Sequence, residues 1–246
     1  MKTNIDILYS DEDIVVINKP SGMLSIPDRF EASKENLSVL LKTHFNGDIF
    51  VVHRIDRETS GILCFARTAD AHKHLNNQFL LHKVDKTYYA FIDGHLDEEE
   101  GTIDSRIAPH PYQDGKMIAG KVGKEALTHY KVLEKFRLCS FVEIKIETGR
   151  THQIRVHMKH IGHTLFNDER YGGDSILKGT TFTKYKQFVE NCFKVLPRQA
   201  LHAKTLGFEH PITKEFLRFD TPIPQDLQEC IEKWRVYSKA QTFTEE

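Results

Sequence analysis

The stretch Val51-Val52-His53-Arg54-Ile55-Asp56-Arg57-Glu58-Thr59-Ser60-Gly61 decides how this chain is read. It is flanked by two apolar runs, Ile49-Phe50-Val51-Val52 and Ile62-Leu63-Cys64-Phe65-Ala66. Both runs are rich in β-branched and aromatic residues and too short for good helices, so both are expected to be buried strands. The polar sequence between them ends in Thr-Ser-Gly, a turn composition. A charged loop wedged between core strands needs partners for its charges or must open onto a cleft. Asp56 lies among His53, Arg54 and Arg57, and nearby positive charge keeps a carboxylate ionised. Two readings stand at this point. One is a structural ion pair closing a turn; the other is an ionised Asp, held by a rigid core, that acts as a nucleophile.

Outward from this stretch, the composition bounds the class of molecule. The chain has 246 residues, 39% hydrophobic and 28% charged, enough to bury a full core and ordinary for a globular protein. No apolar run reaches membrane-spanning length, and the start Met-Lys-Thr-Asn-Ile-Asp lacks the apolar segment of a signal peptide. Cys64, Cys139, Cys192 and Cys230 are widely spread and form no metal pattern, which fits a reduced, cytoplasmic protein. A net charge of -1 argues against a protein that coats nucleic acid nonspecifically. A local basic cleft would still attract phosphate. The segment from Arg150 to Lys159 supplies Arg150, Arg155 and Lys159 with no acid between them.

On the N-terminal side, residues 5–9 and 14–17 read as strands joined by a turn at Ser10-Asp11-Glu12-Asp13. Asn18-Lys19-Pro20-Ser21-Gly22 breaks the pattern, and Leu37, Leu40 and Leu41 mark a short helix capped by Asn36 or Ser33. On the C-terminal side, Thr68 can cap a helix to about Leu81 with Ala71, Leu75 and Phe79 on one side. Residues 86–92 form the next strand, with Tyr88 and Ala90 on one face and Tyr89 and Phe91 on the other. Residues 94–125 are weakly patterned and read as loop or loose hairpins that contact RNA. Residues 128–133 and 141–146 are strands. In Thr148-Gly149-Arg150-Thr151-His152-Gln153-Ile154-Arg155-Val156-His157-Met158, Thr151 is expected to cap a helix ending near Gly162, with Ile154, Met158 and Ile161 buried. His152 and His157 are wrongly spaced for two ligands on one helix face, so no metal is expected. Helices follow at 182–193 and around Leu227, Ile231 and Trp234, with a strand at 215–219 between them. The tail beyond about Tyr237, and residues 241–246 in particular, is expected to fray.

Six stretches carry a resemblance. His-Arg-Ile-Asp-x-x-Thr-Ser-Gly at 53–61 resembles the signature of the RluA-type pseudouridine synthases. Lys-Pro-Ser-Gly at 19–22, continuing through residues 24–29, resembles that family's opening motif. Lys86, Tyr88 and Ala90 match its Lys-x-Tyr-x-Ala, and residues 149–157 match its Gly-Arg-x-His-Gln-Ile-Arg-x-His. Late Leu-His-Ala and His-Pro elements match at 201–203 and 210–211. One departure is Asn167, where the family commonly has Gly before Asp168; Asn also tolerates positive φ. Asp168 is read as structural.

The resemblance covers the chain from Ile5 to about Trp234. It implies an α+β pseudouridine synthase fold, with a long mixed, mostly antiparallel sheet, flanking helices and a central catalytic cleft. It implies one catalytic domain over residues 1–240, no N-terminal S4 domain, and a monomer acting on a stem-loop of ribosomal or transfer RNA. The activity implied is isomerisation of a specific uridine, without metal or other cofactor. Asp56 is then the catalytic residue, Tyr88 lies against the target base, and Arg155 pairs with Asp56. Leu201 packs near the base, and Arg54 contacts phosphate or fills the space left by the flipped nucleotide. His53, Lys19 and Arg150 complete the expected RNA-binding set. A single strong carboxylate suits an isomerase better than a glycoside hydrolase, which uses two. A catalytically idle RNA-binding module and a phosphate-ester hydrolase remain as other classes, and neither would release tritium from 5-tritiated uridine.

Overall fold

Local chemistry sets the first turn. Asp11 Oδ1 accepts the N–H groups of Asp13 and Ile14, both at 2.8 Å, and so reverses the chain. It separates β1 (Asp6–Ser10) from β2 (Ile14–Lys19). In chain order there follow α1 (Leu37–Phe45), β3 (Phe50–Val51), β4 (Ser60–Ala66), α2 (Ala69–Leu80), β5 (Asp85–Asp93), β6 (Glu100–Asp104), β7 (Arg106–Pro109), β8 (Met117–Gly120), β9 (Leu127–Lys135), β10 (Cys139–Ile146), α3 (Gln153–His160), α4 (Thr183–Val195), β11 (Leu201–Glu209), β12 (Phe216–Asp220) and α5 (Gln225–Thr242). The computed structural model describes residues 5–28, 31, 33–176, 179 and 182–242, the last three as backbone only. Arg29, at the end of the opening motif, and the tail from 243 lie outside the described residues.

The architecture is α+β, with mostly antiparallel strands and flanking helices. Within the span expected to be one catalytic domain, the chain divides into two compact units, residues 1–87 with 203–222 and residues 88–202 with 223–246. The division passes inside β5 and inside β11.

In the first unit the strand order is β1-β2-β4-β11, with β3 on β4 and β12 on β11. Every residue of β4 is buried. Its two faces feed two clusters, one with Ile62, Cys64 and Ala66 against Ala71 and Leu75 of α2, the other with Leu63 and Phe65 against Leu37 and Leu41 of α1. A strand buried on both faces reads as an unbroken apolar run, as residues 62–66 do. Asn36 caps α1 through Val39 N–H, and Thr68 caps α2 through Ala71 N–H at 3.2 Å.

In the second unit the order is β5-β10-β9-β6, and β7 with β8 forms a separate hairpin. The alternation in β5 is as predicted. Ala90, Ile92 and Tyr88 join one cluster with Ile144, Ile154, Met158 and Leu201. Phe91 and Tyr89 join the other, which is closed by Leu227, Cys230, Ile231 and Trp234 of α5. Residues 94–125 are more ordered than their sequence suggested, because β6 pairs with β9 from Glu100↔Lys131 to Asp104↔Leu127. Helix α5 runs to Thr242, with Leu227, Cys230, Ile231 and Trp234 buried at helical spacing.

Candidate active site

The first unit places Asp56 on a loop whose backbone is fixed at every step. Ile55 O accepts from Ser25 Oγ at 3.0 Å. Asp56 O accepts from Thr59 N–H at 3.1 Å. Arg57 O accepts from Lys19 Nζ at 2.7 Å and from Gly22 N–H at 3.0 Å. Glu58 O accepts from Ser21 Oγ at 2.9 Å. The Lys-Pro-Ser-Gly segment therefore wraps the Asp56 loop and satisfies two of its carbonyls, those of Arg57 and Glu58, while Ser25 and Thr59 hold the other two. Each such bond is worth about 1 kcal/mol net, and an unmet buried carbonyl costs more. The Asp56 side chain is half-buried at the centre of this clasp, Ile55 before it is buried, and Arg54 and Arg57 are exposed.

Lys19 requires a correction. It was expected at the RNA, but it is fully buried, and its ammonium donates to Pro20 O, Met23 O and Arg57 O at 2.9, 2.8 and 2.7 Å. Those three bonds use all three of its hydrogens, so Lys19 is the clasp's pin. His53 is likewise committed to the fold. Its Nε2 accepts the Cys64 N–H at 3.0 Å, and its ring stacks on Phe79 with centroids 4.5 Å apart. Burial, reinforced by the Lys86 ammonium, pushes its pKa from 6.5 down to about 3, so the ring is neutral near pH 7. Gly61 closes the motif at φ 112°, and a Cβ there would lie 2.1 Å from Ala203 O. Only glycine permits that approach of β11 to β4.

In the second unit, Tyr88 is half-buried and packs against the buried cluster that contains Leu201, so the two residues expected near the base, Tyr88 and Leu201, belong to one cluster. Arg198 holds the start of β11. It donates to Asp226 at 2.6 and 2.9 Å and to Leu201 O at 3.1 Å. Arg198 carries no motif signal, because its partner Asp226 lies far along the chain on α5.

Helix α3 presents Arg155. Its N-cap is His152 at φ 54°, with no side-chain cap bond; Thr151, predicted as the cap, is exposed. Gln153 organises the entry instead. Its Oε1 accepts from Thr148 Oγ1 and Arg150 N–H at 2.8 and 2.9 Å, and its Nε2 donates to Leu127 O and Thr128 Oγ1, both at 3.0 Å. Arg150 also donates Nε–H to Glu125 O at 2.9 Å. Arg155 is 5% exposed and makes a paired bond to Asp168, 2.7 Å from Nε and 2.8 Å from Nη2. A bidentate pair fixes the guanidinium plane as well as its position. Asn167 keeps the turn before Asp168 at φ 56°, as its tolerance of that region allows, and its Nδ2 reaches Leu196 O at 2.7 Å.

Among the described residues, one group of carboxylates and imidazole is close enough to suggest a cation: Asp11, Asp13 and His210. Each of the three already has a partner in the fold, Asp13 Oδ1 accepting from Thr68 Oγ1 at 3.1 Å. Asp11 Oδ2 accepts from Tyr9 Oη and from His210 Nε2, at 2.8 and 2.9 Å, and Oδ1 accepts the two turn N–H groups. The group ties the β1–β2 turn to the end of β11. A groove of about 630 Å³ lined by Phe188, Glu229, Glu232, Lys233, Val236 and Tyr237 includes none of the motif residues.

With this geometry in hand, residues 13–160 match the RNA pseudouridylate synthase family. The chain belongs to that family. It is an isomerase, a pseudouridine synthase. It is 38% identical over 239 residues to the uncharacterized RNA pseudouridine synthase YlyB of Bacillus subtilis, covering 94% of this chain and 73% of that one. It is also 38% identical over 229 residues to ribosomal large subunit pseudouridine synthase D of Pseudomonas aeruginosa, covering 91% and 69%. Among solved structures, human RNA pseudouridylate synthase domain containing 1 superposes with a TM-score of 0.71 at 28% identity, over 94% of this chain and 89% of that one. Among the described residues no helix is long and apolar enough to cross a membrane.

Proposed function

We propose that this pseudouridine synthase converts a specific uridine of large-subunit ribosomal RNA, with Asp56 as the catalytic carboxylate. The observation that carries the assignment to Asp56 is the clasp: four successive carbonyls, from Ile55 to Glu58, are each held, so the carboxylate sits on a backbone that cannot drift. The reaction breaks the bond from ribose C1′ to uracil N1, turns the detached base, and joins C1′ to C5. The C5 proton is lost and N1 regains one. Asp56 serves either by attack on C1′ or by removal of a ribose proton, and both routes need its ionised form.

Arg155, its guanidinium plane set by Asp168, belongs to the catalytic set as a fixed cation. Tyr88 stacks on the flipped uracil, and Leu201 lines the same wall. Arg54 and Arg150 contact phosphates. His53 and Lys19 support the loop rather than touch RNA. The enzyme acts in the cytoplasm as a monomer, with RNA as its partner and without metal. The ribosomal assignment comes from the relatives' names.

Pseudouridine maps of total RNA from cells with and without the gene test the substrate. Loss at one or a few uridines of large-subunit ribosomal RNA is expected. Loss confined to transfer RNA would move the substrate there, and an unchanged map would contradict the proposal.

A further inference from the structure

The turn that follows α3 joins two things the sequence keeps apart. Asp168 is 1% exposed, and both of its oxygens hold the Arg155 guanidinium. Oδ1 also accepts the Tyr171 N–H at 3.3 Å. Tyr171, 2% exposed, turns its hydroxyl the other way, accepting the Met117 N–H of β8 at 3.0 Å and meeting His152 Nδ1 at 2.8 Å. Its ring lies beneath Arg155, with the guanidinium carbon 5.0 Å from the centroid. Arg170, between them in sequence, donates to Gly115 O at the hairpin's tip. The hairpin's inner face, Ile107, Ala119 and Met117, packs with Tyr171 and Val156 in one small cluster.

The outward side of this hairpin has the character of an RNA-contacting arm. Tyr112 is 91% exposed, and Lys121 and Lys124 just beyond β8 are exposed. An exposed aromatic among cations suits stacking and phosphate contact.

We propose that Asp168 and Tyr171 are positioning residues that bind Arg155 and the β7–β8 arm into one body, Asp168 setting the guanidinium and Tyr171 setting the arm. This rests on the role of Arg155 proposed above. The division of labour is physical. Removing the Asp168 charge releases the guanidinium from its plane but leaves Tyr171 in place. Removing the Tyr171 hydroxyl frees the Met117 N–H but leaves both oxygens of Asp168 on Arg155.

The test is single-turnover tritium release from a 5-tritiated large-subunit ribosomal RNA transcript, with RNA affinity and thermal melting measured on the same preparations. Asp168→Asn is expected to lower the saturated rate at least tenfold, toward the order of a hundredfold that a misplaced group costs, with affinity unchanged within about twofold. Tyr171→Phe is expected to weaken RNA affinity about fivefold, the scale of one hydrogen bond, and to keep the saturated rate. A wild-type rate in folded Asp168→Asn would overturn the proposal. So would parallel losses of rate, affinity and melting temperature in both variants, since those are the marks of a turn that only holds the fold. Asp56→Ala run alongside keeps the two ideas separate. Activity in that variant would overturn the catalytic assignment itself, whereas an inactive Asp56→Ala with a normal Asp168→Asn would overturn only this inference.

Discussion

At the scale of single residues, the site is built from side chains whose visible chemistry and actual work differ. Lys19 and His53 carry groups suited to RNA, yet both are spent on backbone atoms of the first unit. Their motif membership was legible in the sequence. Their direction was not, because it depends on which carbonyls and amides a folded loop leaves unmet. His53 gives a pH signature. The folded ring refuses a proton that the unfolded chain accepts below its ordinary value of 6.5, so stability is expected to fall as pH drops from 6.5 toward 3. His53→Gln can still accept the Cys64 N–H and does not titrate there. Urea midpoints measured across that window should decline less steeply for the variant than for the wild type, and equal slopes would mean that His53 is not the group concerned. Tyr88 calls for a different comparison. Stacking on an aromatic ring contributes about 1–3 kcal/mol per base, so Tyr88→Ala should lose that much RNA affinity. Tyr88→Phe, which keeps the ring, should bind normally and retain most turnover. A fall on the order of a hundredfold in the Phe variant would instead give the hydroxyl a proton-transfer role.

Elements were the most legible level. The buried run at 62–66 became β4, the β5 alternation placed Tyr88 and Ala90 on one face, and Thr68 and Asn36 cap their helices as read. The failures share a cause. Residues 100–104 carry no strong strand pattern because β6 lies at the end of the second unit's strand order, where only β9 pairs with it. The start of α3 is set by Gln153 bridging to β9, a tertiary contact that spacing within the helix does not encode. Gly61 shows how a motif position can be an element-level demand. Gly61→Ala adds a Cβ 2.1 Å from Ala203 O at φ 112°, and it is expected to destabilise by roughly 3 kcal/mol or more. Gly22→Ala provides the contrast. That position has φ 82° with nothing within 4 Å of the added atom, so only backbone strain of roughly 1–2 kcal/mol applies. Equal denaturation midpoints for the two variants would remove the close approach of the two strands as the reason for the glycine.

For the whole molecule, the sequence showed the fold class but not the two units, since no Pro- or Gly-rich linker marks a division that passes through β5 and β11. Net charge hid the function for a similar reason. A total of -1 averages an acidic turn at residues 97–100 against basic stretches such as 150–159. The donor chemistry of Asp11, Asp13 and His210 is taken up by the fold, so full activity is expected after exhaustive dialysis against EDTA. Activity lost on chelation and restored by one divalent ion, with the RNA still folded, would point to the hydrolase class instead. The central claim is that Asp56 is the carboxylate through which this chain isomerises uridine. Its most direct measurement is tritium release from 5-tritiated uridine in large-subunit ribosomal RNA by wild type and by Asp56→Ala, with melting curves for both. Release by the wild type and none by an equally stable Asp56→Ala is the expected result, because the loss removes the reaction route rather than some affinity. Release at the wild-type rate from the folded variant would contradict the account.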